Sequence, residues 1–346
     1  MENKLMRQLT ALTNQKWMTT LGLAGSLVAV AGIAVVTGIV LRALLTHNAP
    51  FGEANDEILA SAPVLPETDS AVISEEEASD RVTILLMGAD TRPSETGYRT
   101  PTDTIMLLSV DRNAKTVGLI SIPRDLYVDI PGYGFDRINT AYVRGGGQLA
   151  MQTVANTMGV PVDHYLLVQF DAFTTLVDEI GGIDIYVPTE IYDPEFPAEC
   201  YSREDCGFDP LYIPAGQQHM DGITALKYAR VRHIDTDFER SRRQQAVLMA
   251  VRDRIVSLEM APRLLQRAPA LYNTLTDSFR TDMSLEAMLQ LAQLANEIDS
   301  ENIHAAVIDS NYVTSITAPN GAAVLEPMSA DIGALVRETF GLDATE

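Results

Sequence analysis

Five arginines stand close together in the segment YARVRHIDTDFERSRRQQ, residues 228–245. Arg230 and Arg232 are two positions apart, so they project to one side only if the chain is extended there. Arg240 and Arg243 are three positions apart and share a face if the chain is helical. Two interpretations stay open from these residues alone. Either the guanidinium groups bind a phosphate or pyrophosphate, or they form a solvated surface by pairing with the carboxylates of the same segment.

Two carboxylates flank a second charged segment, GADTRPSETGYRTPTDT. Asp90 directly follows the first predicted strand, and Asp103 directly precedes the second. Mg²⁺ is typically held by one or two carboxylates together with waters and phosphate oxygens, so this pair is a candidate cation site. Aspartate is also a favoured turn residue, and ordinary turn formation is the alternative.

Two more arginines follow the third predicted strand: Arg124 in SIPRDLYVDIP and Arg137 in DRINTAY. Each of them, taken alone, is compatible with a surface ion pair. The sequence contains no Walker-type glycine loop, no G-x-S-x-G elbow, no H-E-x-x-H motif and no zinc quartet, so it does not indicate the enzyme classes that depend on them. With only five histidines in the chain, a histidine general base is weakly supported.

The elements that would position these residues alternate between strand and helix. Short apolar runs predict strands at VTILLMG, TIMLLSV, TVGLISIP, HYLLVQF, GIDIYVP and NIHAAVID. Helical patterns cover residues 147–158, 171–180, 222–228, 239–258, 284–298 and 330–340. This alternation predicts an α/β domain with helices layered on a central sheet. The segment 276–346 is predicted to be a C-terminal α/β extension, either a small appendage or the closing layer of the same domain.

The N-terminal part has a different composition. Residues 17–41 contain no charged side chain, and 25 helical residues are enough to cross a hydrocarbon core of about 30 Å. Lys4, Arg7 and Lys16 precede this predicted transmembrane helix, so the positive-inside rule places the tail 1–16 in the cytoplasm and the rest of the chain outside. Residues 42–80, rich in Asp and Glu, are predicted to be an extended extracytoplasmic linker.

The overall charge argues against general nucleic-acid binding. The chain has 47 acidic and 25 basic residues, a formal net charge of −22, whereas nucleic-acid binding needs a basic face. Any anion site must therefore be local. Cys200 and Cys206 are the only cysteines. In an oxidising compartment a disulfide that closes a short loop is the better interpretation of this pair than half of a zinc site.

In their order along the chain, these segments resemble the LytR-CpsA-Psr family of membrane-anchored bacterial envelope enzymes. The residues that carry the resemblance are LLMGADTR, TDTIMLLSVD, VGLISIPRDLYVDIPG, RINTAYVRGG, VDHYLLVQFDAFTTLVDEIGGIDIYVP and GQQHMDGITALKYARVRHIDTDFERSRRQQ. The resemblance implies a layered α-β-α domain with a central mixed sheet over about 81–275. It also implies a Mg²⁺-dependent phosphotransferase, with Mn²⁺ as an alternative ion.

The resemblance assigns roles to single residues. Asp90 and Asp103 match the Mg²⁺-site aspartates, and Arg124 matches the arginine that reaches the pyrophosphate. Arg137 stands where the family more often has lysine, and the resemblance implies that it binds the pyrophosphate together with Arg124, Arg230, Arg232 and Arg240. The residues that match the arginine cluster are Arg230, Arg232 and Arg240. Asp90, Asp103, Arg124 and Arg240 are the predicted catalytic residues.

One family residue has no direct equivalent, because no arginine precedes the Thr-Asp pair in YRTPTDT. Arg99 replaces it only if its loop bends back.

The implied reaction transfers a glycopolymer phosphate from a polyprenyl-pyrophosphate carrier to peptidoglycan or another cell-wall acceptor. The alternatives are a polyprenyl-pyrophosphate hydrolase and a non-catalytic lipid- or polymer-binding protein of the envelope. Apolar side chains near Leu176 and Leu248 are candidates to line a tunnel for the isoprenoid tail, although most such stripes are core. At least one of Arg242 and Arg243 is predicted to serve only the helix surface.

Overall fold

A computed structural model describes residues 81–89, 101–198, 207–232, 234–257, 279–284, 287, 291, 294 and 297–342. The strands are β1 (Arg81–Ala89), β2 (Thr102–Asp111), β3 (Thr116–Ser121), β4 (Tyr127–Ile130), β5 (Gly134–Arg137), β6 (His164–Gln169), β7 (Ile183–Val187), β8 (Ile191–Asp193), β9 (Leu211–Ile213), β10 (Gly216–Met220), β11 (Phe279–Thr281), β12 (Ile303–Val307), β13 (Val313–Thr317) and β14 (Ala323–Pro327). The helices are α1 (Thr140–Met158), α2 (Phe170–Glu179), α3 (Gly222–Arg230), α4 (Asp237–Ser257) and α5 (Ser329–Phe340), with a 3-10 turn at Ser300–Asn302.

Six strands form the central sheet in the order β11-β6-β1-β2-β3-β12. β1 pairs antiparallel with β2 and parallel with β6, and β3 pairs antiparallel with β2 and parallel with β12. The sheet is therefore mixed, as the sequence predicted. Strand pairs β4-β5, β7-β10, β8-β9 and β13-β14 form four two-stranded sheets outside it.

Side chains alternate between the two faces of the central sheet and build two cores. On β1, Ile84 and Leu86 belong to one core, while Leu85 and Met87 belong to the other. The first core is closed by α2, α3 and α4, and the second by α1 and α5. Burying both sheet faces in this way gives three layers, α-β-α.

Helix α1 begins earlier than predicted. The pattern indicated a helix from Gly147, whereas the structure starts the helix at Thr140. Gly145 and Gly146 have non-helical dihedral angles, and Gly146 has a φ of 66°. Glycine has no Cβ and adopts this conformation without strain, so the helix is kinked here and continues beyond it.

Helix α3 is fixed at its first residues. The carboxylate of Asp221 accepts a hydrogen bond of 2.8 Å from the backbone N–H of Thr224, which caps the helix. A Cβ on Gly222 would lie 2.2 Å from the carbonyl oxygen of Thr174 on α2. Only glycine allows α2 and α3 to approach this closely, so this contact fixes the start of α3 against α2.

The C-terminal extension completes the sheet. β11 pairs with β6 and β12 pairs with β3, so residues after 275 supply both edge strands. Helix α5 packs on the same sheet, and a Cβ on Gly118 of β3 would lie 2.3 Å from the ring of Phe340. Of the two interpretations left open by the sequence, the closing layer fits the structure. Within the predicted helix 284–298, residues 287, 291 and 294 are helical.

Candidate functional site

A cavity of about 480 Å³ opens where β1 and β6 end and β2 begins. It lies between the sheet and helices α2, α3 and α4, and its floor includes Gly88, Asp103 and Gln169 from the three strands. Ligands in α/β sheets bind beyond the carboxyl ends of parallel strands, and β1 and β6 are parallel and end at this edge.

Four of the five arginines predicted to bind pyrophosphate line this cavity. They are Arg124, which follows β3, Arg230 at the end of α3, Arg232 just after it, and Arg240 in the first turn of α4. The fifth, Arg137 on β5, is not among the lining residues. Its Nε lies 3.2 Å from the carboxylate of Asp125, and it donates a hydrogen bond of 2.9 Å to the carbonyl of Ala323. The fold thus brings together arginines that lie more than 100 positions apart in the sequence.

Carboxylates hold two of these arginines in place. Arg124 donates a hydrogen bond of 2.5 Å from Nη1 to Asp103, and its Nε lies 3.8 Å from Asp237. Asp237 in turn lies 3.0 Å from Nη1 of Arg240. Asp237 therefore lies between the two guanidinium groups and offsets their mutual repulsion. This preorganises the cationic wall of the cavity, which is formed by Arg124, Arg230, Arg232 and Arg240.

Asp103 owes its position to a local irregularity of the sheet. Gly88 pairs with Thr104 and Ala89 pairs with Thr102, so Asp103 is the extra residue of a β-bulge between β1 and β2. A bulged residue is not held in the ladder, and its side chain can be aimed away from the regular alternation. Here the side chain faces the cavity beside Arg124.

Burial makes the cationic wall receptive to an anion. The side chain of Arg240 is only 8% exposed. Burial lowers the pKa of its guanidinium, and the positive charges of Arg124 and Arg232 lower it further. The negative charge of Asp237 acts in the opposite direction, but the pKa remains lowered. For Arg124, burial would also lower the pKa, but the charge and hydrogen bond of Asp103 outweigh it, so the pKa is raised. Arginine stays protonated at ordinary pH, so Arg240 carries a buried positive charge. A bound anion would offset the free-energy cost of removing this charge from water.

Two hydrogen-bond donors of the site lack acceptors. Among the described residues, the buried Nε atoms of Arg124 and Arg240 have no hydrogen-bond partner. Buried polar groups in proteins are normally paired, and an unpaired donor costs free energy. Phosphate oxygens in the cavity would supply the missing acceptors.

Arg242 and Arg243 differ in their surroundings. Arg242 is half exposed and forms ion pairs with Glu239 and Asp309, which is the helix-surface role predicted for one of the two. Arg243 is buried and donates to the backbone carbonyls of Tyr228 and Val231 and to the carboxylate of Asp235. Arg243 thus ties the chain between α3 and α4 to α4, and this chain carries Arg232.

The rest of the cavity is apolar. Its lining includes Leu86, Met106, Leu166, Val168, Phe170, Phe173, Phe196, Leu226, Val247 and Leu248. Leu248, a candidate to line a tunnel for the isoprenoid tail, lines this cavity. Leu176 was also a candidate, but it is buried in the core and does not line the cavity. Helix α2 contributes Phe170 and Phe173 instead, because they face the cavity while Leu176 faces the sheet core. The Arg230 guanidinium lies 4.8 Å from the Phe170 ring centroid, at the border between the charged and apolar parts.

The side chains described at the cavity provide only part of the oxygen ligands of a hard cation such as Mg²⁺. The carboxylate of Asp103 is a possible metal ligand at the cavity, and its side chain is 38% exposed. Within the described part of the chain, no group of three or more His, Cys, Asp or Glu side chains is arranged to hold a metal ion. A site with one or two carboxylates, completed by water and phosphate oxygens, is the Mg²⁺ type that needs no such protein cage.

Several predicted residues lie outside the described residues. They are Asp90, Arg99, Cys200, Cys206 and the predicted transmembrane helix at 17–41. The paired metal site, the disulfide and the anchor therefore stay predictions. In the ranges that the structure describes, no helix has the length and apolarity to span a membrane.

Sequence reasoning missed some residues of the site. Asp237 carries the contact between Arg124 and Arg240, but in the sequence it is one of three carboxylates near the arginines and nothing singles it out. Phe173, Asp193, Phe196 and Gln244 also line the cavity. Their spacing is that of ordinary core and loop residues, and only the packing of α2, α4 and the chain after β8 brings them to one place.

Comparison with known proteins gives a consistent family assignment. The model described as the LytR_cpsA_psr family matches residues 53–339. The Bacillus subtilis protein named polyisoprenyl-teichoic acid–peptidoglycan teichoic acid transferase TagT is 30% identical over 223 residues, which cover 64% of this chain and 66% of TagT. The chain therefore spans slightly less than two thirds of this relative.

Solved structures show the same fold. The crystal structure of B. subtilis TagV superposes with a TM-score of 0.59 and 26% sequence identity, covering 77% of this chain and 99% of the TagV chain. A structure of TagT bound to LIIa-WTA superposes with a TM-score of 0.58 and 22% identity, covering 79% of this chain and 96% of the other. The likeness to TagT at this identity is a likeness of fold.

Proposed function

The chain belongs to the LytR-CpsA-Psr family, and on this premise we propose that it transfers a glycopolymer phosphate from a polyprenyl-pyrophosphate carrier to peptidoglycan or another cell-wall acceptor. The name of the relative TagT, a polyisoprenyl-teichoic acid–peptidoglycan teichoic acid transferase, supports this class of reaction. We also propose that residues 17–41 anchor the protein in the cell membrane with the catalytic domain outside, where such a lipid carrier and the wall are both within reach.

One observation carries the proposal. A single cavity joins an apolar lining to four arginines and two carboxylates, Asp103 and Asp193. An isoprenoid chain needs the first part, since burying its surface is worth about 25 cal/mol per Å². A pyrophosphate needs the second, because guanidinium groups form strong charge-assisted hydrogen bonds to phosphate oxygens. Few other ligands combine a long apolar tail with two adjacent phosphates.

We propose the following reaction at this site. The oxygen of an acceptor hydroxyl forms a bond to the phosphorus that carries the glycan, and the bond from this phosphorus to the bridging oxygen breaks. Polyprenyl phosphate leaves and takes up the equivalent of the hydroxyl proton. Arg124 and Arg240 would bind the phosphates and stabilise the negative charge that develops on the leaving group. Arg230 and Arg232 would complete the cationic wall on the side of α3.

Asp103 would hold Mg²⁺, or Mn²⁺ in its place, together with Asp90. The ion would supply further neutralisation of the pyrophosphate charge. We expect Asp103→Asn and Asp90→Asn each to lower metal affinity at least about tenfold, in line with losses caused by disturbing metal shells. Mn²⁺ binding measured by electron paramagnetic resonance, without substrate, checks this. Unchanged Mn²⁺ affinity in both variants would refute the assignment.

The test of the proposed function uses the full chain in detergent micelles. It is incubated with Mg²⁺ and a radiolabelled polyprenyl-pyrophosphate saccharide, with and without purified wall fragments. Transfer predicts label on the wall fragments together with free polyprenyl phosphate. Label released as a soluble saccharide phosphate in both reactions would instead identify a hydrolase. Retention of intact donor without turnover would identify a binding protein.

A further inference from the structure

A second and larger concavity lies on the other side of helix α4. It is a groove of about 1670 Å³. Arg240 and Gln244 line the cavity described above, whereas Arg242, Ala246 and Met249 line the groove. At 100° per residue these two sets occupy opposite faces of the helix. Both concavities reach the first turns of α4, so the groove extends to the part of the helix that carries Arg240.

Two exposed aromatic rings line the groove. Tyr186 on β7 is 47% exposed and Tyr192 on β8 is 59% exposed. Their strand neighbours are buried, so alternation directs both rings outward. Two exposed tyrosines that line one groove offer a contact surface, and the flat apolar face of a tyrosine fits the C–H face of a sugar ring. Thr189, Gln217 and Asn311 add hydrogen-bonding groups to the lining.

The charge of the groove selects against a phosphate-rich ligand. Six carboxylate side chains line it: Asp184, Glu190, Asp235, Glu239, Asp253 and Asp309. Its two cations, Arg242 and Arg243, are both engaged in ion pairs with carboxylates. The formal charge of the lining, two cations against six anions, is −4. A polyanionic donor would be repelled here, while a glycan backbone without phosphate would not.

We propose that this groove binds the acceptor, a phosphate-free hexosamine glycan strand that stacks on Tyr186 and Tyr192. The inference rests on the proposed transfer function and deepens it, since transfer needs a second substrate next to the pyrophosphate. The donor enters one side of α4 and the acceptor lies along the other. The two meet at the N-terminal turns of the helix, where Arg240 faces the phosphates.

The experiment measures the KM for the acceptor and the KM for the lipid donor separately, using the full chain. The variants are Tyr186→Ala, Tyr192→Ala and the double variant. Tyr133→Ala is the matched control, because Tyr133 is an exposed tyrosine between β4 and β5 that does not line the groove. The double variant is expected to raise the KM for wall fragments on the order of tenfold, from the loss of two aromatic stacking contacts. The KM for the lipid donor should not change, and the control should behave like the wild type. Tyr→Phe at both positions keeps the rings and should restore the acceptor KM.

A direct binding measurement separates this inference from the proposed function. Chitotetraose, a soluble N-acetylglucosamine tetramer, is titrated into the wild type and the double variant and followed by saturation-transfer NMR. Binding that is lost in the double variant supports the acceptor groove even if no transfer is observed, in which case only the transfer function fails. If the wild type does not bind the probe, or if the double variant binds it equally well, the inference is overturned.

Discussion

At the scale of single residues, neighbouring arginines of one short segment have three different environments. Arg240 is buried at the cavity with an unpaired Nε, Arg242 is at the surface in ion pairs, and Arg243 is buried under backbone carbonyls. The environment, and not the residue type, decides what each of them contributes. Substitution of each one separately should therefore give three distinct results.

We expect Arg240→Ala to reduce donor binding or turnover on the order of ten- to a hundredfold, because charge-assisted hydrogen bonds in a desolvated site are the strong ones. Arg242→Ala should change activity by less than about fivefold, since exposed ion pairs are worth about 0–1 kcal/mol. Kinetics with the lipid-linked donor compare the two variants. A larger loss in Arg242→Ala than in Arg240→Ala would contradict the cationic wall.

Arg243→Ala should destabilise the fold by on the order of 3 kcal/mol, because it leaves the buried carbonyls and the Asp235 carboxylate without their partner. It should also raise the KM for the donor, since the chain that carries Arg232 loses its attachment to α4. Arg243→Lys should not restore either property, because lysine lacks the planar fork that contacts two carbonyls and a carboxylate. Urea unfolding and donor kinetics measure both effects. Wild-type stability in Arg243→Lys would show that charge alone is needed.

At the scale of elements, the site depends on how helices begin and how strands end. A β-bulge places Asp103, the first turn of α4 places Arg240, and the capped start of α3 sets the point at which Arg230 and Arg232 emerge. These are local features with local energetics. The cap of α3 is the one that can be tested without touching the cavity.

Asp221→Ala is expected to lower the free energy of unfolding by about 1 kcal/mol, the usual value of an N-cap. The hydrogen bonds from Thr224 lower the pKa of Asp221 in the folded protein. A lowered folded pKa means that this stabilisation is present above the ordinary aspartate pKa of about 4 and is lost as the pH falls through the folded value. The difference in unfolding free energy between wild type and Asp221→Ala should therefore be largest at neutral pH and should shrink in strong acid, where the neutral carboxyl accepts more weakly than the carboxylate. Asp221→Asn, which keeps a neutral acceptor at all pH values, is the control, and a wild-type advantage over Asp221→Ala that does not shrink in acid would contradict the assignment.

At the scale of the whole molecule, the central sheet is closed by residues far apart in the chain. β11 and β12 lie at its two edges and both come from the segment after residue 275. Their loss would leave β3 and β6 as new open edges with unpaired backbone groups. It would also uncover the core beneath α5.

We therefore predict that a chain ending at residue 275 does not fold into a stable domain. The full chain should show one cooperative thermal transition by circular dichroism, whereas the truncated chain should aggregate or unfold without a cooperative transition. The expected physical cause is the loss of two strand pairings and of one helix from the second core. A truncated chain with an unchanged transition would show that the C-terminal segment is an independent appendage.

The sequence by itself determined the alternating pattern of elements, the local concentration of arginines and the order of motifs that led to the family. These follow from periodicity and composition, which are properties of neighbouring residues. It also limited the site to a few charged segments, and Asp103, Arg124, Arg230, Arg232 and Arg240 meet at one cavity.

Only the tertiary structure decided which cations face the cavity and which stabilise the fold. Arg243 contacts residues 8 to 15 positions away, and Arg124 contacts Asp103 across 21 positions. Such contacts are set by the packing of α3 against α4 and by the pairing of β1 with β2, which no pattern within one segment encodes. In the same way, Phe173 lines the apolar part while Leu176 of the same helix lies in the core, which the spacing of the two residues does not indicate.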